Sequence, residues 1–183
     1  MMFDRLRLVL NKGLKYVNIP VPVISSFIAK KEPELFSKAL QIRRDVFVDE
    51  QGTPPDMEPD TVDFRSDCVQ FLLYDNTVPV ATGRLFPEAD NADTGTFDKP
   101  DKRMARIGRM AIQKTYRGSG LGKFLLKHIL DVGQAQYGYS KFVLDAQEYA
   151  QGFYRSCGFQ SVGERFIPEG DNLWHVKMVL VTK

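Results

Sequence analysis

The spacing of hydrophobic positions changes along the chain, and each change marks an element. "VISSFIAK" (Val23 to Lys30) is apolar and β-prone at both ends and predicts a strand. From Pro33, "PELFSKALQIRRDVFVDEQ" carries Leu35, Phe36, Ala39, Leu40, Val46 and Phe47 at helical spacing, with proline suited to a first turn. "GTPPDMEPDTVDFRSD" is proline-rich, acidic and loop-like. Cys68 to Asp75 and Val78 to Pro87 predict two strands, joined at Asn76-Thr77 as a hairpin. A polar loop, "EADNADTGTFDKPDK", precedes a further strand over Arg103 to Ile112.

The clearest helix is "GLGKFLLKHILDVGQAQ", with Leu121, Leu125, Ile129 and Leu130 on its core face. "SKFVLDA" then predicts a short buried strand. "AQEYAQGFYRSCGF" predicts a second helix, stopped at Gly158, with Phe159 folding back against it. "SVGERFI", the turn "PEGDN" and "LWHVKMVLV" close the chain as an antiparallel hairpin. The order β-α-β-β-β-α-β-α-β-β describes one α/β domain with a mixed sheet over residues 23–183. Residues 1–22 form an N-terminal extension, in which Phe3, Leu6, Leu10, Leu14 and Val17 share a helical face among four cations. A packed helix, a transit peptide and a membrane-surface helix all fit that pattern.

Charge changes the picture, because a net +2 hides segregation. Fourteen of the 23 acidic residues lie between Asp45 and Asp101, against three basic ones. That block either attracts a cationic partner or is a solvated loop. From Lys102 to Leu130 there is no acid but eight Lys or Arg. A short basic block beside glycines favours a compact anion over a long nucleic acid, and no aromatics interleave with it. Cys68 and Cys157 form no CxxC pair, and two histidines far from them in sequence speak against a metal site. A reducing compartment, the cytoplasm, fits best, with mitochondrial targeting by the basic N-terminus left open. No apolar run is long enough to span a bilayer.

The basic block holds "RMAIQKTYRGSGLGKF" (Arg109 to Phe124). A triphosphate loop fails here: Arg117 stands where its first glycine belongs, and Phe124 where it needs a hydroxyl. A dinucleotide fingerprint fails at its third glycine, which falls on Lys123. A loop leading into a helix still directs backbone N–H groups and the helix dipole outward, so Arg117, Gly118, Ser119, Gly120, Leu121, Gly122 and Lys123 form a candidate pyrophosphate seat. On the preceding strand Ala105 and Ile107 share one parity and Met110 and Ile112 the other, with Gly108 between them. That change of phase predicts a β-bulge; a strand buried on both faces explains the same residues without one.

These residues resemble the acyl-CoA-binding motif of the GNAT superfamily of N-acyltransferases, whose R/Q-x-x-G-x-G/A pattern is met by Arg117, Gly120 and Gly122. "AQEYAQGFYRSCGF" is similar to the family's later motif, which carries Tyr154. Within the family the chain resembles an ElaA/YjcF-like branch, through Arg43 to Gln51, Ala81 to Leu85 and His175 to Met178. A histidine common in that branch near Gln70 is absent, so no role for it transfers. The resemblance implies a single GNAT-like domain, with a mixed, mostly antiparallel sheet of about six to seven strands flanked by helices. It implies acetyl-CoA as co-substrate, no metal, and direct transfer of acetyl to a primary amine of a small molecule, protein or peptide. Pantetheine would pair with the backbone of Met110, Ala111 and Ile112. Tyr154 would be the general acid near the coenzyme sulfur, though an aromatic pair Phe153-Tyr154 also fits plain packing. Glu50 is the first candidate base and His175 the second. The acidic segment suggests a cationic acceptor; a homodimer is compatible. A non-catalytic acyl-CoA sensor with the same fold is the alternative.

Overall fold

The computed structural model describes residues 22–88, 103–168 and 171–182. The N-terminal extension therefore lies outside the described residues except for its last position, as does most of the polar loop before Arg103. Seven strands form one sheet: β1 (Val23–Phe27), β2 (Val69–Asp75), β3 (Val78–Pro87), β4 (Met104–Ile112), β5 (Lys141–Gln147), β6 (Gln160–Phe166) and β7 (His175–Val181). Their order across the sheet is β1-β2-β3-β4-β5-β7-β6, antiparallel throughout except between β4 and β5. The hairpin expected at Asn76-Thr77 is present, and Asn76 takes the left-handed turn conformation at φ 56°.

Alternation along β2 explains the layers. Phe71 and Leu73 pack with Leu125, Leu126 and Ile129 of α2 (Leu121–Tyr137), whereas Leu72 packs with Phe36, Ala39 and Ile42 of α1 (Pro33–Arg43) on the opposite face. The sheet around β2 and β3 is thus covered by a helix on each face. Helix α2 ends at Gly138, φ 70°, whose N–H donates to the Gln134 carbonyl while Tyr139 N–H donates to that of Gly133.

Three elements differ from expectation. The first helix does not run to Gln51 as α-helix. It becomes π-helix over Arg44–Glu50, a wider turn that changes the face presented by every later residue. The acidic segment is not plain loop: it contains 3₁₀ turns at Pro55–Met57 and Thr61–Phe64, the second capped reciprocally by Asp60 and Asp63. The second predicted helix is shorter, because β5 runs to Gln147 and a 3₁₀ turn precedes α3 (Gln151–Ser156). Its stop at Gly158, φ 94°, and the return of buried Phe159 onto Tyr154 match the sequence reading.

The bulge on β4 is real. Thr82 pairs with Ala111 and Arg84 with Gly108, so Arg109 and Met110 together oppose Gly83. The extra residue returns Met110 and Ile112 to the face already occupied by Ala105 and Ile107, and all four join one core. Parallel pairing of β4 with β5 then covers only Met104–Arg106 against Lys141–Val143. Beyond it β4 continues to Ile112 and β5 to Gln147 without pairing to each other. This fork positions the site.

Candidate active site

At one end of the fork, β4 turns through Lys114–Tyr116 into the glycine loop. Gly118 and Gly120 have φ 78° and 87°, the region that favours glycine, and a Cβ at either would meet no atom within 4 Å. Open space therefore faces both glycines. Gly122 serves differently: its Cβ would come within 2.6 Å of Ile112 Cδ1, so it lets α2 approach β4 closely. Ser119 Oγ donates to the Tyr116 carbonyl at 2.6 Å, and Lys123 Nζ reaches the Ser156 carbonyl at 3.4 Å. Arg117 Nε donates to the Ile112 carbonyl at 2.9 Å, which ties the loop back to the end of β4. The fork and the open loop fit an extended chain ending in a diphosphate.

Between the strands lies a cleft of about 360 Å³, lined among others by Gly108, Met110, Leu144, Tyr154 and His175. Tyr154, on α3, is buried against Phe153 and Phe159 with edge-on rings at 4.9 and 5.9 Å. Burial pushes its phenol above the ordinary tyrosine value, so it stays protonated through neutral pH. His175 opens β7. Its Nδ1 lies 3.0 Å from the Leu173 carbonyl, an acceptor, which puts the ring proton on Nδ1; Nε2 faces Asp171 Oδ2 at 3.8 Å. Asp171 is itself held by the N–H groups of Asn172 and Leu173.

The wall on the α1 side is a charge network. Buried Arg43 donates from Nη1 and Nη2 to Asp63 at 2.8 Å each, and from Nε to Glu58 at 2.6 Å. Arg84 Nη1 bridges Asp60 at 2.6 Å and Asp63 at 2.7 Å. Arg109 Nη2 donates to Asp60 at 2.8 Å; its Nε lies 2.8 Å from Glu58 Oε1 but off hydrogen-bond geometry, so that contact is one of charge alone. Gln70 Nε2 adds a bond to Asp63 at 3.0 Å. Burial works against the Asp63 carboxylate, but the bonds and charges of Arg43 and Arg84 outweigh it and hold it far below the usual range. At Glu58 burial wins over Arg43 and Arg109, and its carboxyl is raised.

The structure brings Met110, Tyr154 and His175 to one cleft. Ala111 and Ile112 continue along the unpaired side of β4. Glu50 is elsewhere: its carboxylate pairs with Arg117 Nη2 at 2.9 Å and is not part of the cleft lining. It ends the π-helix beside the glycine loop, and Gln51 next to it accepts from Gln147 Nε2 at 2.9 Å. Within the acidic block, Glu58, Asp60 and Asp63 are neither solvated loop nor free to meet a partner, since they are committed to arginines of the protein. Sequence reasoning missed that network, although Arg43 and Arg84 stood inside quoted motifs. Cys68 is buried in the core, its thiol pushed up to about 12 by burial, as packing rather than chemistry requires. Among the described residues no group of His, Cys, Asp and Glu is arranged to hold a metal, and no helix is long and apolar enough to cross a membrane.

The fork, the glycine loop beside it and the cleft lined by Tyr154 and His175 belong to a chain whose relatives are acyltransferases. Residues 36–159 match the Acetyltransferase (GNAT) family, and the chain belongs to it. It is 31% identical over 140 residues to Protein ElaA of Escherichia coli, covering 76% of this chain and 82% of that one. It is 29% identical over 157 residues to the uncharacterized N-acetyltransferase YjcF of Bacillus subtilis, covering 85% and 99%. The crystal structure of Escherichia coli ElaA superposes with a TM-score of 0.71 at 26% identity, over 87% of this chain and 99% of that one. The chain is an enzyme of the ElaA- and YjcF-like kind, and an acyl-CoA is the co-substrate of its fold.

Proposed function

We propose that this enzyme transfers acetyl from acetyl-CoA directly to a primary amine of a small molecule, protein or peptide. The observation that carries the reading is the fork: unpaired edges of β4 and β5 open onto a cleft that holds both Tyr154 and His175. The co-substrate supplies an acyl group activated as a thioester. The backbone of Met110, Ala111 and Ile112 would hold its extended arm, and the loop from Arg117 to Lys123 its diphosphate. His175 Nε2 would take the proton of the attacking amine, beside the Asp171 carboxylate. As the carbon–nitrogen bond forms and the carbon–sulfur bond breaks, Tyr154 Oη would give its proton to the departing sulfur. We assign the base role to His175 rather than Glu50 because Glu50 is engaged with Arg117.

Three arginines around the cleft are paired with carboxylates, Arg84 with Asp60, Arg109 with Glu58, and Arg106 with Asp145. Those pairs present little net charge to an acceptor, and Asp171, which also lines the cleft beside His175, offers a carboxylate to a cationic amine. Cytoplasmic residence is part of the proposal and rests on the two free cysteines. The test is a panel of primary amines with acetyl-CoA, read by release of free thiol. Turnover with at least one amine, faster with acetyl than with longer acyl chains, is expected. Faster turnover with a longer acyl-CoA would remove the acetyl assignment, and thiol release independent of any amine would remove the acceptor class.

A further inference from the structure

Arg109 has φ 50°, in the left-handed region that residues with a side chain enter at a cost. Among the described residues the other non-glycine position there is Asn76, in a hairpin turn that asparagine suits. Arg109 stands inside β4 and not in a turn. Two carboxylates hold its guanidinium, Asp60 through Nη2 at 2.8 Å and Glu58 by charge at 2.8 Å. Each is fixed in turn, Glu58 by Arg43 and Asp60 by Arg84, and Asp63 joins those two arginines. On the other side Met110 fills the space above Gly83, where a Cβ would come within 2.7 Å of its sulfur and 2.9 Å of Ile129 Cδ1. The bulge is braced from both layers.

Such a network is a poor source of stability, because desolvating its charges costs about what their attraction returns. Its effect falls on geometry. Strained backbone persists where the surroundings over-determine it, and this strain lies on the cleft wall. A bulge also leaves ladder groups unpaired, and an N–H held toward an oxygen that gains charge counts most in the transition state.

Resting on the acetyl-CoA reading above, we propose that Arg109 is a positioning residue: Glu58 and Asp60 anchor its guanidinium, the guanidinium keeps the bulge left-handed, and the bulge backbone polarises the acyl carbonyl. The arginine acts through the conformation of its own main chain, not through contact with substrate.

The test uses acetyl-CoA carrying carbon-13 at its carbonyl, bound to the full-length protein and followed by NMR, with affinity from calorimetry. Wild type is expected to move the carbonyl resonance downfield, as hydrogen bonding to a carbonyl does. Arg109→Ala should lose most of that displacement while affinity stays within about threefold, since polarisation acts more on the transition state than on binding. Arg109→Gly adopts positive φ without any anchor and should recover the displacement. Arg109→Lys keeps the charge but cannot reach both carboxylates, and should behave like the alanine variant. A full displacement in Arg109→Ala overturns the inference, and so does an equal loss in the alanine and glycine variants. Should Arg109→Ala not fold, the glycine and lysine variants make the same comparison. Failure of wild type to bind acetyl-CoA overturns the acetyl-CoA reading and this inference together; binding with no dependence on Arg109 overturns this inference alone.

Discussion

Tyr154 combines an apolar setting with a proton to give. Its ring is buried against Phe153 and Phe159, and burial first, then the neighbouring Tyr149 and Cys157, raises its phenol. A general acid works below its pKa, so loss of turnover on the alkaline side should begin above the ordinary tyrosine value of 10.0. Tyr154→Phe should lower kcat by about a hundredfold or more, with acetyl-CoA affinity unchanged, in a thiol-release assay. Asp63 carries a different prediction. Its carboxyl is held below the unfolded value of 3.8, so its contribution is present above that value and lost as pH falls through the folded one. Melting temperatures taken between about pH 5 and pH 2 should fall steeply for wild type. They should fall less for Asp63→Asn, which should already be destabilised at neutral pH, by about 3 kcal/mol or more, because it leaves Arg43 and Arg84 underpaired. Tyr154 and His175, which line one cleft, could be singled out in the sequence because each lies within a short motif. The network was not, because its partners stand far apart: Arg43 is 15 residues from Glu58, and Arg109 is 49 from Asp60.

Among the elements, the glycine loop is held by conformation more than by crowding. Gly120 opens α2 at φ 87° with free space where a Cβ would stand. Gly120→Val should therefore weaken acetyl-CoA binding through backbone strain of about 1–2 kcal/mol, roughly tenfold in calorimetry. A smaller loss at Gly120 than at Gly122 would point to helix packing against Ile112 as the greater constraint. The bulge on β4 was legible because a phase change in side-chain parity is a sequence property, and its consequence, four residues on one face, followed. The π-helix at Arg44–Glu50 was not: a few apolar positions fit either helix, and only the hydrogen-bond ladder distinguishes them. Glu50, the last residue of that π-helix, pairs with Arg117.

At the scale of the whole molecule, all seven strands were visible as local patterns, with ends displaced by a few residues. The sheet order, with β7 between β5 and β6, was not, because pairing joins segments remote in sequence. Nor was the fork, which is defined by where pairing stops. Binding of acetyl-CoA should slow amide exchange in Ile107 to Ile112 and Leu144 to Gln147 and leave β1 and β2 unchanged. It should also raise stability by about 2.7 kcal/mol at a hundredfold excess over Kd. Uniform protection across the sheet would count against binding in the fork. The fork has one more consequence. Main-chain groups carry no information about the sequence of what they pair with, so an incomplete ladder welcomes any extended chain of amides. On the function proposed above, discrimination among acyl carriers would then be made at the two ends of the opening, by the glycine loop for the carrier's anionic head and by the Arg109 bulge for the group it delivers.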